Sequence, residues 1–317
     1  MAKSKFVIEL GSSFTVIYKK AYGIILKEPS VVAFDHKNHV AIEVGTKAKK
    51  MQGKVGDWVE LIEPIVNGIV KQEEYALAML QKFFEKILEN KYEQFDITFV
   101  TRIGLNDNEL LTLKNIAYSL GAVKVDFTDV CVSGLVGAGV QIEKSNAVAC
   151  VNLGGETCNY AVVSLGKTIK GFSIGFGGKN MDMAIKEYLR ATKNLEISNA
   201  YAEKIKNECA SLYSQDTSNM EVNGVDYDTK RPVAEIIYAT EIREAILHFF
   251  DKICEGIEQL LYSCSADVIA DISKNGIYVI GGVANLTGIE NYLYKKINMP
   301  IIVPDEPENC TIIGGAN

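Results

Sequence analysis

Two short stretches carry the residue types that phosphate chemistry needs. Val7-Ile8-Glu9-Leu10-Gly11-Ser12-Ser13 returns, 143 positions later, as Cys150-Val151-Asn152-Leu153-Gly154-Gly155-Glu156-Thr157. In each, an apolar run ends in a polar residue, one apolar residue and a glycine turn. Glycine at a strand end lets backbone N–H groups converge on an anion with no Cβ in the way. Two such turns facing each other would clamp one polyphosphate between related half-molecules. A third turn, Val279-Ile280-Gly281-Gly282-Val283-Ala284-Asn285, follows another apolar run, and a fourth is Ile312-Ile313-Gly314-Gly315-Ala316. Taken singly, each is a plain tight turn as readily as a binding loop. Four strand-end glycine turns in this order argue for a site. No G-x-x-x-x-G-K-[ST] and no G-x-G-x-x-G occurs, and Gly175-Phe176-Gly177-Gly178-Lys179 has the wrong spacing for either.

Other chemistries have few residues to work with. The histidines are three, His36, His39 and His248, which excludes a His-rich metal cage and leaves little for a Ser/His/Asp triad. His36 and His39 fall in Asp35-His36-Lys37-Asn38-His39, a polar turn between apolar runs. The seven cysteines, odd in number and without a C-x-x-C, suit a reducing compartment. With 33 basic against 40 acidic residues the net charge is −7, the wrong sign for a protein that grips nucleic acid through broad basic patches. The opening Met-Ala-Lys-Ser-Lys-Phe-Val-Ile lacks the pattern of a signal peptide, and no apolar run reaches the ~18 residues of a membrane span. A cytoplasmic location is expected.

The elements that must hold these loops follow from periodicity. Strand-like runs fall at Phe6–Leu10, Thr15–Tyr18, Ser30–Phe34, Ile97–Val100, Ala147–Leu153, Tyr160–Ser164, Gly276–Ile280 and Ile301–Val303. Helical patterns fall at Glu73–Leu88, Asp107–Leu120, Met181–Leu189, Asn199–Cys209 and Thr240–Tyr262. In the last, Ile242, Ala245, Ile246, Phe249, Ile253, Ile257, Leu260 and Leu261 recur at helical spacing, the mark of core packing. Strands alternating with helices give an α/β fold. The 317 residues, 48% apolar, suffice for about two domains with cores that need no staple.

Further segments carry a family resemblance. Gly23-Ile24-Ile25-Leu26-Lys27-Glu28-Pro29-Ser30-Val31-Val32-Ala33, Val44-Gly45-Thr46-Lys47-Ala48-Lys49-Lys50-Met51, Gly137-Ala138-Gly139, Gly177-Gly178-Lys179-Asn180-Met181-Asp182 and Glu241-Ile242-Arg243-Glu244-Ala245 stand in order along nearly the whole chain. Together they resemble the actin-like ATPases and, within them, the MreB family of bacterial cell-shape filament proteins. The resemblance implies an actin-like fold, with two related halves, each a large α/β subdomain carrying a small one, and ATP or ADP with Mg2+ in the cleft between them. It divides the chain into 1–141, with a small subdomain at about 30–66, and 142–317, with one at about 179–239 and the last residues returning to the first half. It puts Gly11, Ser12 and Ser13 in the first phosphate loop and Gly154, Gly155 and Thr157 in the second. Glu203 and Lys206 would approach the ribose and base, Gly281, Gly282 and Ala284 would complete the adenosine pocket, and Glu9 would hold the metal. Without the resemblance, Glu203 and Lys206 are a solvated helix-face pair. The likeness also implies filament assembly, alone or with a paralogue, and contact with the inner-membrane surface. For the latter the loop Asn90-Lys91-Tyr92-Glu93-Gln94-Phe95 offers two aromatics, which serve turn packing equally well.

Departures from the family pattern cluster at the chemistry. Glu9 replaces an aspartate, Asn152 replaces another, Glu156 replaces the third glycine of the second loop, and Cys158 replaces a threonine. Phe14 stands where a small polar residue is usual. Counting back from Gly139, the residue that should orient the attacking water is Val130, which cannot polarise it. Asp129 is adjacent but on a regular strand would point the other way. Slow or absent hydrolysis is the expectation. The rivals are a working Mg-dependent ATPase that uses Glu9 with Asp129 or Glu156, and a non-polymerising regulator of a paralogous filament.

Overall fold

The computed structural model describes residues 3–88, 94–144 and 146–316. The first half opens with β1 (Ser4–Leu10), β2 (Phe14–Lys19) and β3 (Gly23–Pro29), a meander in which β1 and β2 are buried on both faces, Phe6, Ile8 and Ile17 on one side and Val7 and Val16 on the other. Next come β4 (Val32–Asp35), β5 (Val40–Val44), α1 (Thr46–Lys49) and β6 (Val59–Ile62), with the three strands forming a separate antiparallel sheet in the order β5-β4-β6. β7 (Ile65–Val66) and β8 (Ile69–Val70) pair through the two-residue turn Asn67-Gly68, both at positive φ, the conformation that suits a tight hairpin. The half continues through α2 (Glu73–Ile87), β9 (Phe95–Thr101), α3 (Asp107–Ser119), β10 (Ala122–Asp129) and α4 (Val130–Gly137). Asn106 and Glu109 start α3 with a capping box.

The second half repeats the plan with β11 (Val148–Leu153), β12 (Cys158–Ser164) and β13 (Lys167–Ile174). There follow α5 (Gly178–Lys193), β14 (Leu195–Glu196), α6 (Asn199–Cys209), β15 (Asn219–Asp226) and β16 (Pro232–Tyr238). Then come α7 (Ala239–Tyr262), α8 (Ala266–Asn275), β17 (Ile277–Ile280), a 3-10 turn at Gly282–Asn285, α9 (Ile289–Ile297), β18 (Ile301–Ile302) and α10 (Cys310–Gly314).

The two large sheets have the same topology. One runs β3-β2-β1-β9-β10 and the other β13-β12-β11-β17-β18, each with three antiparallel strands followed by two parallel ones. The weak repeat in the sequence is thus a repeat of strand order, and it places the β1–β2 and β11–β12 turns at equivalent sheet ends. A further three-stranded sheet, β14-β15-β16, stands on the second half beside α5 and α6.

Three apolar layers hold this together. Phe6, Phe83, Phe95 and Phe99 belong to the outer core of the first half, and Tyr160, Ile185, Phe250 and Ile253 to that of the second. Between the sheets lies a middle layer containing Val7, Val16, Val130, Cys150, Ile280 and Ile312. α7 buries the apolar face read from its sequence through Leu260, with Leu261 half-buried at its end.

Two expectations are corrected here. The fourth glycine turn is helical: Gly314 closes α10, which packs on α4, and a Cβ at 314 would collide with Ser133 O. Glycine there permits close helix approach and does not cradle an anion. Phe95 is 2% exposed and edge-packed on Phe6, so it is core and not a membrane-facing ring. Asn90–Glu93 lie outside the described residues.

Candidate functional site

At the meeting of the two sheets, Gly11 N–H donates to Phe14 O (3.0 Å) and Gly154 N–H donates to Thr157 O (2.9 Å). Each bond closes the same kind of hairpin and leaves the turn tips, Ser12-Ser13 and Gly155-Glu156, outside the ladder. A Cβ on Gly155 would strike Ser13 Oγ, so the two tips face each other with no room for a side chain at that position. Gly281, at φ +92, presses the third turn against Leu153, where a Cβ would lie 2.5 Å from the carbonyl oxygen. Together they bound a cleft of about 520 Å3.

Glu9, Gly11, Ser12, Ser13, Gly154, Gly155, Thr157, Glu203, Lys206, Gly281 and Gly282 all line that cleft. Ala284 does not. It is buried inside the 3-10 turn, and its neighbours Val283 and Asn285 take the wall. Glu203 and Lys206 are not a helix-face pair: Glu203 reaches Lys49 of α1 across the cleft mouth (2.8 Å), and Lys206 pairs with Asp182 of α5 (2.8 Å) and donates to Gly178 O.

On the cleft floor the Glu9 carboxylate accepts the hydroxyl of Thr311, a residue of α10. Burial holds its carboxyl above the usual range, against the opposing pull of that hydrogen bond and of the Lys27 charge. Asn152, 5% exposed, is the neutral residue at the equivalent place of β11. Phe14 packs against the middle layer while its ring edges the cleft.

Glu156, in place of the third glycine of the second loop, is held by donors from two directions. Its carboxylate accepts from Asn67 N–H (2.7 Å) and from Lys179 Nζ (2.9 Å). Burial opposes its charge, but these two donors hold its carboxyl below the usual range. Lys179 also donates to Ser12 O (2.9 Å) and Glu63, so its three ammonium donors serve both turn tips and the first half. Gly68 N–H donates to Ser12 Oγ (3.2 Å), and Arg102 Nη1 donates to Asn67 O (2.9 Å). Lys179, Asn67 and Arg102 escape sequence reasoning. The available signal was a lysine two residues into a helix after a Gly-Gly pair, whose spacing fits no phosphate motif.

Val130 lines the cleft as a 5% exposed apolar side chain at the first position of α4. Asp129 caps that helix, accepting from Cys131 N–H (2.7 Å) and Val132 N–H (3.3 Å), and its other oxygen accepts from Thr168 Oγ1. Its carboxylate is therefore committed to the helix end and to β13, and does not line the cleft.

The family model described as "MreB/Mbl protein" matches residues 3–317. The chain belongs to the MreB/Mbl family. The cell shape-determining protein MreB of Escherichia coli is 29% identical over 99% of this chain and 93% of its own. The structure of MreB5 of Spiroplasma citri bound to AMPPNP superposes with a TM-score of 0.93 at 28% identity, covering 99% and 95% of the two chains; the same protein is also known bound to ADP. A subunit of a MamK double helical filament shares the fold at 15% identity and a TM-score of 0.83. The fold is therefore actin-like, as the resemblance implied. In this MreB/Mbl chain the glycine turns form a cradle that a Cβ would fill, which fits a nucleotide polyphosphate. Mg2+ fits more narrowly: among the described residues no cluster of three or more His, Cys, Asp or Glu could hold a metal alone. Glu9 supplies one carboxylate at the cleft floor, enough for an ion that keeps waters and phosphate oxygens as its other ligands.

Proposed function

We propose that this chain is an MreB-type actin-like cytoskeletal subunit that binds ADP or ATP in the cleft between its halves, assembles into filaments, and hydrolyses ATP slowly or not at all. The observation that carries the nucleotide reading is the pair of glycine turn tips from two topologically identical sheets, facing each other at contact distance. A bound Mg2+ would neutralise phosphate charge there. Glu9 would orient it, the turn-tip amides would hold the phosphates, and Gly281-Gly282 would border the adenosine.

The hydrolysis reading rests on Val130. A water in line with the last phosphate needs an acceptor, and at this place the cleft wall offers methyl groups. The rescue by Asp129 is disfavoured by its helix-capping bonds. Glu156 is a carboxylate in the right region, but it is held by an ammonium and an amide, which lowers its basicity. Mg-dependent phosphate release well above that of a protein-free blank, lost on Glu156→Ala, would establish the working ATPase instead.

Assembly alone or with a paralogue, in the cytoplasm, is the cellular part of the proposal. Sedimentation with ADP, ATP or AMPPNP, with and without a regular paralogue, tests it. A protein that stays monomeric throughout but binds a filament end is the non-polymerising regulator. Contact with a membrane surface now rests on Tyr92 alone of the loop's two aromatics, and flotation of Tyr92→Ser against wild type on anionic vesicles decides it. Among the described residues no helix is long and apolar enough to cross a membrane.

A further inference from the structure

Glu156 sits where an anion belongs, and the groups that hold it are anion-binding groups. Its two oxygens engage an ammonium, Lys179 Nζ, and a backbone amide, Asn67 N–H, at 2.9 and 2.7 Å. It follows directly on Gly155, whose Cβ position is blocked by Ser13 of the opposite tip, so the carboxylate lies beside the gap between the two tips. The amide it holds belongs to the Asn67-Gly68 turn of the first half, and the next amide, Gly68 N–H, donates to Ser12 Oγ. Lys179 in turn bonds Ser12 O. One carboxylate thus completes a ring of contacts running from the second turn through α5 to the first turn and the β7–β8 hairpin.

We propose that Glu156 is an intramolecular substitute for a terminal phosphate, and that it sets which nucleotide the cleft prefers. This rests on the nucleotide reading above. A terminal phosphate carries the same charge sign as Glu156 and competes for the same ammonium and amide. A diphosphate, one phosphate shorter, leaves the carboxylate on Lys179 and Asn67. A triphosphate must evict it, passing Lys179 from carboxylate to phosphate and freeing the β7–β8 hairpin from the second turn. Two of the three Lys179 donors are already on Ser12 O and Glu63, so the third serves either Glu156 or a phosphate and the two anions compete for it. The site therefore favours the diphosphate by the work of eviction. Lys179 is the residue that either anion would use, and Glu156 is the specificity determinant.

The test is calorimetric titration of wild type, Glu156→Gln and Lys179→Ala with ADP and with AMPPNP, all with Mg2+. Glutamine keeps the shape and the acceptor for Asn67 N–H but removes the charge. The expected result is that the ratio of AMPPNP to ADP affinity rises at least about tenfold in Glu156→Gln, and falls below the wild-type ratio in Lys179→Ala. Equal changes for both nucleotides in Glu156→Gln, or none, would overturn the proposal while leaving nucleotide binding in place. Failure of folded wild type and of folded Glu156→Gln to bind either nucleotide would overturn the nucleotide reading itself, and the proposal with it. Circular dichroism of each variant separates these results from misfolding, and Glu156→Ala provides a second uncharged side chain should glutamine disturb the turn.

Discussion

Glu9 is a carboxylate at odds with its surroundings, and that makes it measurable. Burial raises its carboxyl in the folded protein, so the folded state binds this proton more tightly than the unfolded chain does. By linkage its contribution is neutral below the ordinary carboxylate range and becomes destabilising as pH rises through the raised folded value. Glu9→Gln should therefore melt at a higher temperature than wild type at neutral pH without nucleotide, with the difference shrinking towards pH 4. The same variant should lose the gain in nucleotide affinity that Mg2+ gives. Thermal melts across pH and titrations with and without Mg2+ check both halves of this expectation. At Val130 the expectation runs the other way. Val130→Glu puts an acceptor at the first turn of α4, where a helix N-terminus favours negative charge. It should lower stability by at least about 1–3 kcal/mol, the cost of burying even a neutral polar group, while raising phosphate release above wild type. An unchanged release rate in a folded variant would mean that Val130 is not what limits hydrolysis. Both positions were legible in the sequence as type changes within a recognised pattern. Lys179 was not, because its reach to Ser12 O depends on how α5 is set against the opposite half.

Several helices with a clear period were legible, but α8 and α9, amphipathic and short, were not among those expected. α2, α3, α6 and α7 fall within a residue or so of their expected bounds. α4 and α10 were missed for one physical reason: they are sandwiched between the sheets, so their residues are apolar on all sides and show no amphipathic period. The strands β13 and β16 were missed because they are largely exposed and have little apolar contrast, and β15 because its alternation of Met220 and Val222 with polar residues is broken at Gly224. The α4–α10 contact is close enough to be tested by a single methyl group. A Cβ at Gly314 would meet Ser133 O, and one at Gly137 would meet Cys310 O, with only backbone to yield. Gly314→Ala should cost about 1–3 kcal/mol or more by overpacking. Gly282→Ala, where an added Cβ meets nothing within 4 Å, should leave the melting temperature within about a degree of wild type. If the two variants melt alike, the helix pair is less tightly seated than described.

For the molecule as a whole, the two halves are joined by the apolar middle layer at one end and by polar bridges at the cleft. Lys49–Glu203 is one such bridge and Lys179–Glu63 is another. Ion pairs as exposed as Lys49–Glu203 contribute about 0–1 kcal/mol, so the fold does not depend on them. Their role is to set how easily the cleft opens. Lys49→Ala and Glu203→Ala should each leave stability nearly unchanged and speed release of a fluorescent ADP analogue, with the double variant no faster than either single one. An additive effect would show that the two residues act separately. The seating of α10 has a consequence for biosynthesis. The helix packs on α4 and touches β1, β2 and β3, yet it is translated long after them. Until the ribosome has read through Cys310–Gly314, the inner face of the first sheet lacks its cover and Glu9 lacks the Thr311 hydroxyl. The first half therefore cannot complete its share of the middle layer from its own residues, and the last of that cover comes from Cys310 and Ile312 at the far end of the chain.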